Sequence, residues 1–211
     1  MKNGVLCRFV LLTTLSCVFV IAAQAEEKDK SALPEKQVLM LGLTDNVRSN
    51  YFPKIMITEE TGIMEDVIDK EYNAIIMDNI VASAHGACKF IPVSVDTPVC
   101  QWANMITVNG EGDESFSDVS SVPDDEYRNT LNTVGADYLL VLNQHYLKWQ
   151  ETPMRTLFHI VSYTLFDKDK NEVYRGNGYF TCMNLERPDK LRKISSKTSS
   201  RIASAIISRI K

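Results

Sequence analysis

The 211-residue sequence has no Gly-x-Ser-x-Gly, no phosphate loop, no His-Glu-x-x-His and no dinucleotide-binding glycine fingerprint. These absences weigh against the common hydrolases and nucleotide-dependent enzymes. They leave open an enzyme whose site assembles from scattered residues. A basic surplus is missing as well: 23 Lys and Arg stand against 27 Asp and Glu, for a formal charge of −4. The nearest approach to a basic cluster, Arg187 to Lys197, is mixed with acids and serines and reads as the solvated face of a helix. A chain of this kind is a poor ligand for a phosphate backbone, so nucleic acid is not an expected partner.

Long apolar runs are scarce too. The main one, Phe9 to Ala23, is 15 residues long and is interrupted by Thr13, Thr14 and Ser16. It is short against the roughly 20 residues that a bilayer core requires. Lys2 and Arg8 give it a basic start, and Ala23-Gln24-Ala25 supplies a small-x-small cleavage pattern before Glu26 and Glu27. Together these features predict a secretory signal peptide over residues 1–25. A rival reading makes Cys17 the lipidated residue of a lipoprotein, but Leu15 stands one place late for it. The expected location is the periplasm or the exterior, with outer-membrane association a further option. Cleavage after Ala25 removes Lys2 and Arg8 and no acid, taking the formal charge from −4 to −6. No other segment is apolar enough to span a membrane.

Cysteine is sparse: Cys88, Cys100 and Cys182 remain after cleavage. Export permits a disulfide, and Cys88 and Cys100 flank a short Pro-containing segment, KFIPVSVDTPV, that a bridge would close. Cys182 lies in an apolar strand pattern and reads as a buried, inert thiol. His85, Cys88 and Cys100 have a metal-like local spacing, yet a closed zinc site takes four ligands and no fourth is near. No metal or other cofactor is expected, and no catalytic residue stands out.

Residues 26–36 are charged and without apolar period, as in a flexible leader. Gln37 to Leu43 reads as a buried strand. From Glu59 to Ala84, isoleucines and valines recur at helical spacings, and Glu59 and Glu60 suit a helix start. Lys89 to Val95 is a strand that Pro92 confines to an edge. Residues 96–126 are acidic and Ser-rich, read as exposed loop with a strand and turn at MITVNG. Asp124 to Gly135 fits a short helix with a C-terminal glycine. GADYLLVLNQHYLKW, residues 135–149, is a strand with Leu139, Val141 and Leu147 on one face and Tyr138, Leu140, Leu142 and Tyr146 on the other. Thr156 to Phe166 and Glu172 to Met183 form a hairpin about a turn at Asp167 to Asn171. Pro188 opens an amphipathic helix to the C-terminus.

Several residues invite a chemical reading. Asp167, Asp169 and Asn171 resemble half of a calcium loop, but Glu172 and Gly178 occupy the positions that need Gly and a carboxylate. His145 and His159 are each a possible ligand, or a core histidine with a local partner. Tyr146 and Trp149 end the strand where polar residues begin, and are candidates either for a partner contact or for closing the core.

Gly135-Ala136-Asp137 before a hydrophobic strand, Asp167 and Asn171 at a turn, and Gly176 and Gly178 within the next strand together resemble a family of bacterial cell-envelope domains. That family includes the amino-terminal domain of TolB, the curli-export lipoprotein and the lipoprotein activators of penicillin-binding proteins. The likeness spans about residues 37–211, without the propeller repeats of TolB or the transmembrane strands of the curli pore. It implies a single two-layer α/β domain over 37–211, with a mixed, mainly antiparallel sheet packed with a long helix from the N-terminal half and a C-terminal helix. It also implies a non-enzymatic module that binds other envelope proteins. The alternative is a small periplasmic ligand-binding protein or an enzyme.

Overall fold

A computed structural model describes residues 35–85, 88–93 and 99–210. The expected signal peptide and most of the leader lie outside the described residues. The chain opens with β1 (Lys36–Gly42), a short β2 (Val47–Ser49), α1 (Lys54–Thr61) and α2 (Ile68–Ala82). The single helix expected from 59 to 84 is therefore two. Gly62 adopts a left-handed φ of 76° and its N–H donates to Thr58 O, which ends α1. Glu59 and Glu60, expected at a helix start, lie in the last turn of α1.

β3 (Cys88–Pro92) follows, then α3 (Val99–Trp102), β4 (Thr107–Asn109), β5 (Phe116–Asp118) and α4 (Asp124–Val134). The stretch read as loop thus holds a helical turn and a two-stranded antiparallel ribbon, β4–β5. β4 is the strand expected at MITVNG, while α3 and β5 are too short to show a period, which is why the sequence hid them. α4 ends at Gly135 in the left-handed region, as the sequence predicts. The last four elements are β6 (Tyr138–Gln150), β7 (Thr156–Asp167), β8 (Glu172–Cys182) and α5 (Pro188–Ile207).

The main sheet runs β3-β1-β6-β7-β8, with β2 also paired to β6. β1 pairs in parallel with β3 and β6, and β2 in parallel with β6, while the long β6–β7 and β7–β8 ladders are antiparallel. This is the mixed α/β fold, with helices packed against a sheet, that the sequence predicts. α2 and α5 cover one face, over a core that includes Val38, Leu140, Leu142, Leu147, Val161 and Ile202. α3 and α4 supply Trp102, Tyr127 and Leu131 to a second core against Leu39, Leu139 and Val141 on the opposite face. Both faces of the first half of β6 are therefore buried, matching its unbroken apolar run.

A β-bulge in β6 organises the rest. Leu142 pairs with Tyr163 and Gln144 with Ser162, so Asn143 is the extra residue. One inserted residue exchanges the faces of everything after it. Leu147 accordingly joins Leu140 and Leu142 beneath α2, rather than Leu139 and Val141 as strict alternation predicts. Opposite the bulge the first edge of β6 is also interrupted, between β1 and β2. Asn46 and Asn73 seal that gap. Their carboxamides bond each other reciprocally at 2.9 and 3.2 Å, and donate to Leu142 O and Leu43 O. Backbone carbonyls that the broken ladder leaves behind thus find partners in the interior.

Candidate functional site

The face exchange carries His145 into the core. Its Nε2 lies 2.9 Å from Nδ1 of His159, and His159 Nε2 lies 3.2 Å from Cys182 Sγ. The three come from β6, β7 and β8, on the side covered by α2. Tyr72 of α2 meets His145 edge to face at 4.8 Å, and Phe180 stacks on His159 at 4.5 Å. Both imidazoles are buried.

A thiol, an imidazole and a second orienting group in line is the layout of a nucleophile with its base. The electrostatics oppose that role. Burial, with a smaller contribution from Glu186, pushes the Cys182 thiol up to about 12. Burial and the neighbouring His145 hold His159 well below the usual imidazole range. Neither proton transfer nor a thiolate–imidazolium pair is favoured at neutral pH. The proton count fits a neutral strut. With Cys182 donating to Asn184 O at 2.9 Å, His159 donates to the sulphur and His145 donates to His159. His145 Nδ1 is then a bare acceptor, and it has no partner among the described residues. Among those residues no cluster of His, Cys, Asp and Glu has the arrangement of a metal site.

The other predicted residues are dispersed. His85 is exposed and contacts its neighbour Ser83 O. Cys88 is buried under α2, whereas α3, which carries Cys100, packs Val99 and Trp102 into the opposite core. The Asp167 carboxylate accepts the N–H groups of Asp169 and Asn171, so those acids build the hairpin turn. Tyr146 and Trp149 point to opposite faces. Trp149 packs on Tyr51 and Phe52 at the margin of the helix-covered core. Tyr146 lies over Gly112 on the other side. Burial, and then the Glu111 carboxylate, raise the phenol's pKa.

Asn143 and Gln144 both face the β4–β5 side, as the two residues of a bulge do. Asn143 accepts from Ser117 Oγ at 2.6 Å and donates to Ser115 O at 3.0 Å. Gln144 Oε1 accepts the Gly112 N–H at 2.7 Å. These two amides floor a cleft of about 420 Å³ between the β1–β2 turn and the segment 103–111. Sequence reading missed both the cleft and the Cys–His–His chain. The signal for them was three polar residues in a row, Asn143-Gln144-His145, inside an apolar strand.

Beyond the β4–β5 ribbon, the outer face of β6–β8 is uncovered. Phe158 and Ile160 lie there in a shallow groove of about 270 Å³, ringed by Asp113, Lys148, Gln150, Asn177 and Tyr179. Tyr179 is 62% exposed. The register places Trp149, Leu157 and Cys182 at one end of the sheet, and exposed Tyr51, Met154 and Met183 surround that end.

No family model matches the sequence, and no curated protein matches it. Solved structures that resemble it include a PelC dodecamer from Paraburkholderia phytofirmans (TM-score 0.38, 10% identity, 82% of this chain and 91% of that one). The hypothetical protein CT253 from Chlamydia trachomatis gives a TM-score of 0.42 at 11% identity, over 82% of this chain and 94% of that one. The LpoB C-terminal domain from Salmonella enterica gives 0.32 at 15% identity, over 72% and 86%. Scores this low decide neither fold nor function.

Proposed function

We propose that the chain is an exported, non-enzymatic module of the bacterial cell envelope that binds or helps assemble other envelope proteins. The observation that carries this reading is the outer face of β6–β8, where Tyr179 is 62% exposed beside half-buried Phe158 and nearly buried Ile160, with polar side chains around them. An exposed tyrosine over an apolar floor inside a polar rim is the anatomy of a protein interface. Tyr51, Met154 and Met183 form a second exposed apolar patch around the end of the β6–β7 hairpin, next to Trp149. The signal-like N-terminus and the sequence resemblance support the compartment. The electrostatics of the Cys182–His159–His145 chain support a module without chemistry of its own.

A photo-crosslinking residue at Tyr179 or Tyr51, introduced in cells and read from envelope fractions, tests the proposal. A discrete protein adduct is expected from these positions and not from exposed Lys197 on α5. A chain that stays monomeric and free of adducts at every position overturns it.

A further inference from the structure

The cleft at the bulge has leftover chemistry that the fold does not use. Its floor is Gln144, 92% buried by its 8% exposure. The carbonyl of that side chain is taken by the Gly112 N–H, and its amide nitrogen has no hydrogen-bond partner among the described residues. A carboxamide this buried, with its donors unspent toward a cavity, is set up to meet an acceptor. At the rim, Asp45 is neutralised twice, by Arg48 at 2.5 Å and by Lys54 at 3.0 Å. Glu111 has no cationic partner among the described residues, and Tyr146 stands beside it. Between floor and rim, Ile106 and Val108 supply an apolar strip in a mostly polar wall.

We propose that this cleft binds a basic amino-acid residue. The alkyl stem lies along Ile106 and Val108. The ammonium or guanidinium reaches Glu111, and a carbonyl oxygen of the same residue accepts from Gln144 Nε2. A volume of about 420 Å³ is within the range of small-ligand clefts. The chemistry is shared by a free amino acid and by a lysine or arginine in a peptide, and the two sources differ only in the α-substituents. The cleft and the outer sheet face are separate surfaces, so neither proposal depends on the other.

The test is a titration of the purified protein with Nα-acetyl-lysine methylamide, followed by ¹H–¹⁵N spectra that include side-chain amides. The Gln144 amide signals are expected to shift, and Glu111→Gln to weaken binding about tenfold, the loss of one charge-assisted contact. Glu111 is exposed, so the variant is expected to fold normally. Tighter binding of the peptide mimic assigns the site to a partner's side chain, and tighter binding of free lysine assigns it to an amino acid. Either outcome supports the proposal. Nα-acetyl-norleucine methylamide, which lacks the charge, is the control. Equal binding of the control, or Gln144 signals that stay still at saturation, overturns it.

Discussion

His145 and His159 face each other across β6 and β7 with Nε2 and Nδ1 2.9 Å apart, and neither ring reaches solvent. Burial holds His145 at about 3, and His159 is also held well below its usual range. The groups facing the pair are Tyr72 from α2, Cys182 from β8 and the Phe180 ring, none of them a cation or a carboxylate.

The first prediction concerns acid. Above about pH 6.5 neither the folded nor the unfolded chain protonates these rings, and stability does not depend on them. Below that, the unfolded chain binds protons that the folded one refuses, so stability falls as pH falls, down to about pH 3 for His145. At pH 5 the loss is about 2 kcal/mol for His145, and His159 adds to it in the same direction. Urea unfolding at pH 7.5 and pH 5 measures it. An unchanged midpoint, or an NMR titration of His145 near pH 6.5, contradicts it.

The placing of this pair shows where sequence reading stopped. The apolar run from Tyr138 to Leu142 predicted a strand buried on both faces, and β6 is that strand. The hairpin turn at Asp167 to Asn171, and the Gly135 helix end, were equally readable, because turn and cap chemistry is local. The bulge at Asn143 was not. A period of two carries no mark of an inserted residue, so the faces beyond it came out exchanged and Leu147 was put on the wrong one. The Cys182–His159–His145 chain spans three strands and depends on register, which a single sequence does not reveal. β5, the partner of the strand expected at MITVNG, was missed because it is three residues long and docks by the Ser117 N–H on Thr164 Oγ1, beside Ser115 on Ser162, rather than by an apolar stripe.

The second prediction concerns Gly42. A Cβ there would lie 2.5 Å from Asn73 Cγ. Asn73 is held by Asn46 and by Leu43 O, so it has no room to yield. Gly42→Ala is expected to destabilise by about 1–3 kcal/mol, the usual cost of overpacking. In an Asn73→Ala background the same change should cost much less, because the clashing atoms are gone. Chemical denaturation of the four proteins decides it. Equal costs in both backgrounds would exclude the close approach as the cause.

Asn143 carries the third. Its carboxamide is completely buried and bonds Ser117 Oγ and Ser115 O. Asn143→Ala leaves a hydroxyl donor and a carbonyl stranded, at a cost of about 1–3 kcal/mol for each group left without a partner. Hydrogen exchange should show the loss first in β4 and β5, with β7 and β8 little changed. Uniform loss of protection over the whole sheet would show that the bulge supports the global fold rather than the ribbon.

The last prediction uses the thiols. With the Cys182 thiol at about 12, the thiolate fraction at pH 7.4 is on the order of 10⁻⁵, although the side chain is partly accessible. An unfolded cysteine titrates near 8.5, so maleimide labelling of the folded protein should be at least about a hundredfold slower than after urea unfolding. Mass analysis of the same unfolded, unreduced sample of residues 26–211, which lacks Cys7 and Cys17, tests the proposed Cys88–Cys100 bridge: a bridged chain takes one label at Cys182, and reduction releases two more sites. Three labels without reduction rule the bridge out. Fast labelling of Cys182 in the folded protein would show instead that the His159 contact stabilises a thiolate, and would return the Cys–His–His chain to the catalytic candidates.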